Sequence, residues 1–156
     1  MAYELRAVIG TTEVLGAVCE TLKLDMVSLT LDLSLIAWTD EDFDRLRPSP
    51  EVDHSSSARY CHPRLVDEMT RASNIGPLAY VEADYFGGHE EQTAIIFDSG
   101  QVQWTSPPGD AKSAAWPNSP ISQALRMLGV VAHPEKDEFD TVGLGRHRHT
   151  EAWLSE

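Results

Sequence analysis

The chain has 156 residues, 12 of them basic and 25 acidic, for a formal net charge of −13 with the histidines neutral. A surface that negative repels nucleic acid phosphates and anionic lipid, which excludes DNA, RNA and acidic membranes as default partners. The length fits one domain, 1–156, whose core needs no disulfide framework from its two cysteines, Cys19 and Cys61.

The opening, MAYELRAVIG, lacks the basic start and long apolar run of a secretory signal, and no stretch approaches the roughly 18 apolar residues of a membrane span. The expected location is therefore the cytoplasm, with the thiols reduced. Net charge is −5 over residues 1–50, −6 over 51–100 and −2 over 101–156, so the last third holds the one basic cluster.

In chain order, Tyr3 to Ile9 alternates as a strand. Thr11 or Thr12 then caps a helix whose apolar residues Val14, Val18 and Leu22 recur at helical spacing, with Leu15 and Cys19 alongside. A short strand near Met26 to Leu29 and an apolar strand from Leu33 to Trp38 follow. Trp38-Thr39-Asp40-Glu41-Asp42-Phe43 spells a helix start: Thr39 as N-cap, acids in the first turn where the helix dipole favours them, and Trp38 against Phe43 as a hydrophobic staple. Pro48 ends this helix. Residues 47–61 are too polar and too broken by proline for regular structure and read as an internal loop.

His62-Pro63 opens a third helix with Leu65, Val66, Met69 and Ala72 on one face, ended by Gly76-Pro77. Leu78 to Tyr85, Gln92 to Phe97 and Gln101 to Thr105 form an antiparallel meander, with 87–91 as one connection and Asp98-Ser99-Gly100 as a tight turn in the other. Ser119-Pro120 opens the strongest helix, with Ile121, Leu125 and Leu128 on one stripe and Gly129 just past its end. The tail from Asp137 to Trp153 is mixed, because Gly143 and Gly145 interrupt any long helix. The expected fold is a single α+β domain, a mostly antiparallel sheet with helices packed on one face and the other face open to water.

Two segments stand out chemically. In the first meander strand, period two places Ala79, Val81, Ala83 and Tyr85 on one face and Tyr80, Glu82 and Asp84 on the other, with His89 following in the connection. Glu82 and Asp84 suit a solvated sheet face, a pairing with Arg146 or Arg148, or acid, base or ligand chemistry. Gly87-Gly88 supplies positive φ at a hairpin rather than a phosphate cradle, since its neighbours are acidic.

The run Gly143-Leu144-Gly145-Arg146-His147-Arg148-His149 is basic in an acidic protein. It suits internal ion pairing, a binding surface or a metal site, although two histidines at spacing two fall short of a full ligand set. An extended run would send both arginines to one side and both histidines to the other, with at least one arginine bidentate to Glu82, Asp84 or Asp140. No catalytic motif, cofactor fingerprint or metal-ligand spacing is present, and Cys19 reads as core.

Three segments, Ala79 to Gly88 (AYVEADYFGG), Ser119 to Val130 (SPISQALRMLGV), and Asp137-Glu138-Phe139 with Gly143 to Leu154 (GLGRHRHTEAWL), resemble a family of small bacterial proteins with no established activity. Tyr3 to Ile9 and Trp38 to Phe43 fit the same resemblance, which implies neither a cofactor nor a catalytic residue. In size and acidity the chain is similar to immunity proteins that neutralise bacterial toxins.

The function expected is that of a nonenzymatic cytoplasmic protein, immunity-like or regulatory, engaging a basic protein partner. The alternative is a small enzyme or metal-binding protein whose site joins Glu82 and Asp84 to Arg146, His147, Arg148 and His149. The binding residues expected are those six with His89.

Overall fold

The computed structural model describes residues 3–46, 63–86, 89–106 and 119–155. The expected loop at 47–61, the His62 cap and Gly87-Gly88 lie outside them. The strands are β1 (Tyr3–Thr11), β2 (Val27–Ser28), β3 (Leu33–Ala37), β4 (Leu78–Phe86), β5 (His89–Asp98) and β6 (Gln101–Thr105). The helices are α1 (Thr12–Leu22), α2 (Asp40–Leu46), α3 (Pro63–Ala72), α4 (Pro120–Met127) and α5 (Glu138–Val142), followed by 3-10 turns at Leu144–Arg146 and Thr150–Ser155. The strands form one antiparallel sheet in the order β2-β3-β1-β4-β5-β6. This is an α+β fold, with the meander β4-β5-β6 where the alternation and turn residues placed it.

Local signals set most boundaries. The Thr11 side chain accepts from the Val14 N–H, and Lys23 closes α1 in the left-handed region. At α2, Thr39 Oγ1 accepts from the Asp42 N–H at 3.2 Å while Asp42 Oδ2 accepts from the Thr39 N–H at 3.2 Å, a capping box with aspartate in the usual glutamate place. The helix α4 ends in a full Schellman arrangement: the Gly129 N–H reaches Arg126 O, the Val130 N–H reaches Leu125 O, and Gly129 has φ +95°.

Its other end is capped tertiarily. Ser119 makes no side-chain cap, and Gln92 Oε1 of β5 accepts from the Ile121 N–H at 3.1 Å. The Asp98 to Gln101 turn has positive φ at Ser99 and Gly100, the primed geometry that matches strand twist.

The expectation of helices on one face does not hold. Leu5, Ala7, Ile9, Ala79, Val81, Ala83, Ala94 and Ile96 pack with Ile121 and Leu125 of α4, Val142 of α5, Leu144 and Trp153. On the opposite face, Val8, Ile36, Leu78, Tyr80, Ile95 and Phe97 pack with Val14, Val18 and Leu22 of α1, Leu65 and Met69 of α3, and Trp38. Both faces are apolar along the middle of the sheet, so each needs a cover.

The connection expected at 87–91 is also shorter than the glycines and acids suggested. His89, Glu90 and Glu91 are strand residues of β5, in register with Phe86, Tyr85 and Asp84. Once β4 has run to Phe86, pairing its backbone outweighs the weak strand propensity of those residues.

Candidate functional site

The α1/α3 face changes character along the strands. Where α1 and α3 cover it, β1, β4 and β5 contribute Val8, Tyr80 and Ile95; one turn of pleat further on, the same parity brings charged and polar side chains. Glu4 of β1 lies directly opposite Asp84 of β4, and Asp84 lies directly opposite Glu91 of β5. Three carboxylates therefore form a transverse row across three neighbouring strands. The next row is Arg6, Glu82 and Thr93.

Like charges placed directly opposite destabilise a sheet, and one arginine offsets part of that cost. Arg6 Nε donates to Glu4 Oε1 at 2.8 Å, Arg6 NH1 donates to Asp40 Oδ1, and Arg6 NH2 lies 4.0 Å from Glu151 Oε1. The Arg6 side chain is only 7% exposed. Burial alone would lower its pKa, but the hydrogen bond to Asp40 and the charge of Glu4 outweigh it and hold the guanidinium more firmly protonated than usual. Glu4 is further held by Thr150, whose Oγ1 donates to Glu4 Oε1 at 2.9 Å. Glu82 accepts from the buried Tyr80 hydroxyl at 2.6 Å, while Asp84 is exposed.

The tail reaches this place from the side. Beyond Ala7 the strand β3 no longer pairs with β1, because the chain turns away through Trp38, whose N–H still reaches Arg6 O at 2.8 Å. The vacated edge is taken by the tail: the Glu4 N–H donates to Arg148 O at 2.8 Å and the Arg6 N–H to Thr150 Oγ1 at 3.0 Å. Backbone of 148–150 thus lies beside β1, with β1 between it and Glu82 and Asp84 of β4. At the usual strand spacing this puts the two backbones about 10 Å apart.

The comparisons give no relative. No family model, curated protein or solved structure matches the chain.

Of the residues singled out from sequence, Glu82 and Asp84 do share a face. Arg146 and His147 take a different position from the alternating one expected. The 3-10 turn after Gly143 rotates the chain so that both meet the Trp153 ring, with the Arg146 guanidinium 5.0 Å from its centroid and His147 edge-on at 4.8 Å. Arg146 NH2 also donates to Ser28 O at 2.8 Å, tying the tail to β2. Arg148 contributes its carbonyl to β1, and His149 is exposed. The His89 backbone is paired with Phe86.

Among the described residues no group of three or more His, Cys, Asp or Glu is arranged to hold a metal ion. No helix among them is long and apolar enough to cross a membrane. Cys19 is half-buried, and burial with nearby Asp25 pushes its thiol up to about 11, which keeps it protonated at neutral pH.

Arg6, Glu4, Asp40 and Glu151 were not singled out from sequence. A signal for the first two exists: Glu4 and Arg6 stand two apart in an otherwise apolar strand, hence on one face. Asp40 reads from sequence only as a helix-start acid, and Glu151 as part of the tail; their meeting with Arg6 is a product of the fold.

Proposed function

We propose that this chain is a nonenzymatic cytoplasmic protein, immunity-like or regulatory, that binds a basic protein partner through the acidic end of its α1/α3 face. The observation that supports this reading is the transverse row Glu4, Asp84 and Glu91. Asp40, Glu82 and Glu151 extend it around Arg6. Like charges placed directly opposite one another cost stability, and a cation that meets them relieves that cost. A basic partner would relieve that repulsion and be steered to the face by the net charge, with an association that weakens as salt rises.

The test is affinity capture from the native host at low and at high salt, followed by titration of the captured protein against wild type and against the charge-reversed Asp84→Lys. The expected result is a basic partner held at low salt, released at high salt and bound much more weakly by the variant. Absence of any partner at low salt, or equal binding by the variant, overturns the proposal.

A further inference from the structure

The two edges of the sheet are finished differently. β2 contributes two residues, whereas β6 presents five, and among the described residues nothing pairs with its outer side. Exposed edge strands in soluble proteins are ordinarily blunted by charge, proline, a bulge or brevity. From Ser99 to Ser106 there is no charged residue and no proline, in a chain of net charge −13, and the register shift opposite Ile96 and Phe97 is the blunting device this strand carries.

The same edge carries apolar surface. Val102 is in register with Phe97, hence on the α1/α3 face, and is 51% exposed. Ile75, 50% exposed, follows closely after Ser73, which fastens the β5-β6 turn by accepting from the Ser99 N–H at its carbonyl and from the Gly100 N–H at its Oγ. Backbone donors and acceptors, a neutral strand and the exposed Val102 side chain thus coincide at β6, and Ile75 is exposed close in sequence to the residue that fastens the β5-β6 turn.

We propose that β6 is a self-association edge, to which β6 of a second copy of this chain adds antiparallel across a two-fold axis. Charge selects the occupant. Two copies repel wherever their acidic surfaces face each other, so contact is favoured where charge is absent, and a two-fold axis places the same neutral strand with its Val102 on both sides. A basic partner gains no electrostatic advantage from this edge. A five-residue ladder falls short of the roughly 1,200 Å² buried by stable complexes, so the dimer is weak and concentration-dependent. Salt strengthens it by screening the repulsion between copies, opposite in sign to the salt dependence of the basic partner.

Sedimentation equilibrium over a wide range of protein concentration, at low and high salt, tests this on the full chain. The expected result is a mass that climbs toward the dimer with concentration and with salt, and a dissociation constant raised about tenfold or more by Val102→Lys. Val102 is at the surface, so the variant should melt with the wild type, and a melting curve verifies that. Amide exchange at Val102 to Thr105 should slow as concentration rises. A monomer at every concentration and salt, or a dimer indifferent to Val102→Lys with β6 amides unchanged, overturns the proposal. Failure here leaves the acidic-face reading intact, because that reading is probed by Asp84→Lys and weakens with salt.

Discussion

The same three strands carry two faces that obey different rules. On the α4 side, β1, β4 and β5 are apolar over most of their length, from Leu5 to Ile9, from Ala79 to Ala83 and at Ala94 and Ile96, because α4, α5 and the tail together cover that face. On the α1 side, apolar residues stop where α1 and α3 stop, and the rows beyond are Arg6, Glu82 and Thr93, then Glu4, Asp84 and Glu91. A strand's composition thus follows its cover on each face separately. Past the reach of α1 and α3 the face carries charge instead, at some cost in stability.

That comparison is broken most severely by removing the cover. Trp153 is fully buried in the α4-side core, and Trp153→Ala should cost about 3–5 kcal/mol in urea unfolding, the range for large aromatic truncations. Its buried indole N–H has no acceptor among the described residues, so part of the gain from burying this ring is already offset, and a result toward the lower end of the range is expected.

On the α1 side the equivalent lesion is Arg6→Met. The guanidinium is buried, but Asp40 is 72% exposed and Glu4 31%, so water takes up much of what is lost. A cost of about 2–3 kcal/mol is expected, below the range for a fully buried pair. A loss below 0.5 kcal/mol, ordinary for a surface site, would show that Arg6 does not organise the carboxylates.

Two hairpin turns sharpen the contrast at smaller scale. Ser99-Gly100 suits its positive φ, whereas Leu31-Asp32 adopts φ +62° at both positions with a branched aliphatic at the first. The left-handed region is costly for leucine, and Asn-Gly is the favoured pair in this turn. Leu31→Asn combined with Asp32→Gly should stabilise by about 1 kcal/mol, read as a rise in melting temperature. Unchanged stability would mean that neighbouring contacts, such as Thr30 Oγ1 to Thr141 O, hold the turn without strain.

The smallest effect is the most telling for function. Asp84→Asn removes the middle charge of the row and should stabilise the free protein by a few tenths of a kcal/mol, at most about 1. The gain should shrink as salt is added. A destabilisation would show that Asp84 is held by a structural partner and would weaken the case for an exposed cation-binding row.

Much of the fold was legible because its signals are local. Thr39 with the acids after it, Ser99-Gly100, and Gly129 after the Ile121 to Leu128 stripe each satisfy backbone groups within a few residues, so they read the same in the sequence as in the fold. Alternation in β4 likewise told which residues share a face, and placed Glu82 with Asp84.

What the sequence did not determine was which elements meet. Alternation says that Ala79 and Tyr80 point oppositely, yet not that both sides are covered, because a helix's apolar stripe carries no address. The row Glu4, Asp84 and Glu91 joins residues from three strands and depends on register, and the Arg6 cluster draws Asp40 and Glu151 from elements far apart along the chain. The path of the basic tail was decided in the same way. The turn after Gly143 sends Arg146 and His147 to Trp153, and β1 lies between the tail backbone and β4. Periodicity and capping are fixed by bonds a few residues long, whereas a site assembled across strands exists only once the register and the path of every connection are set.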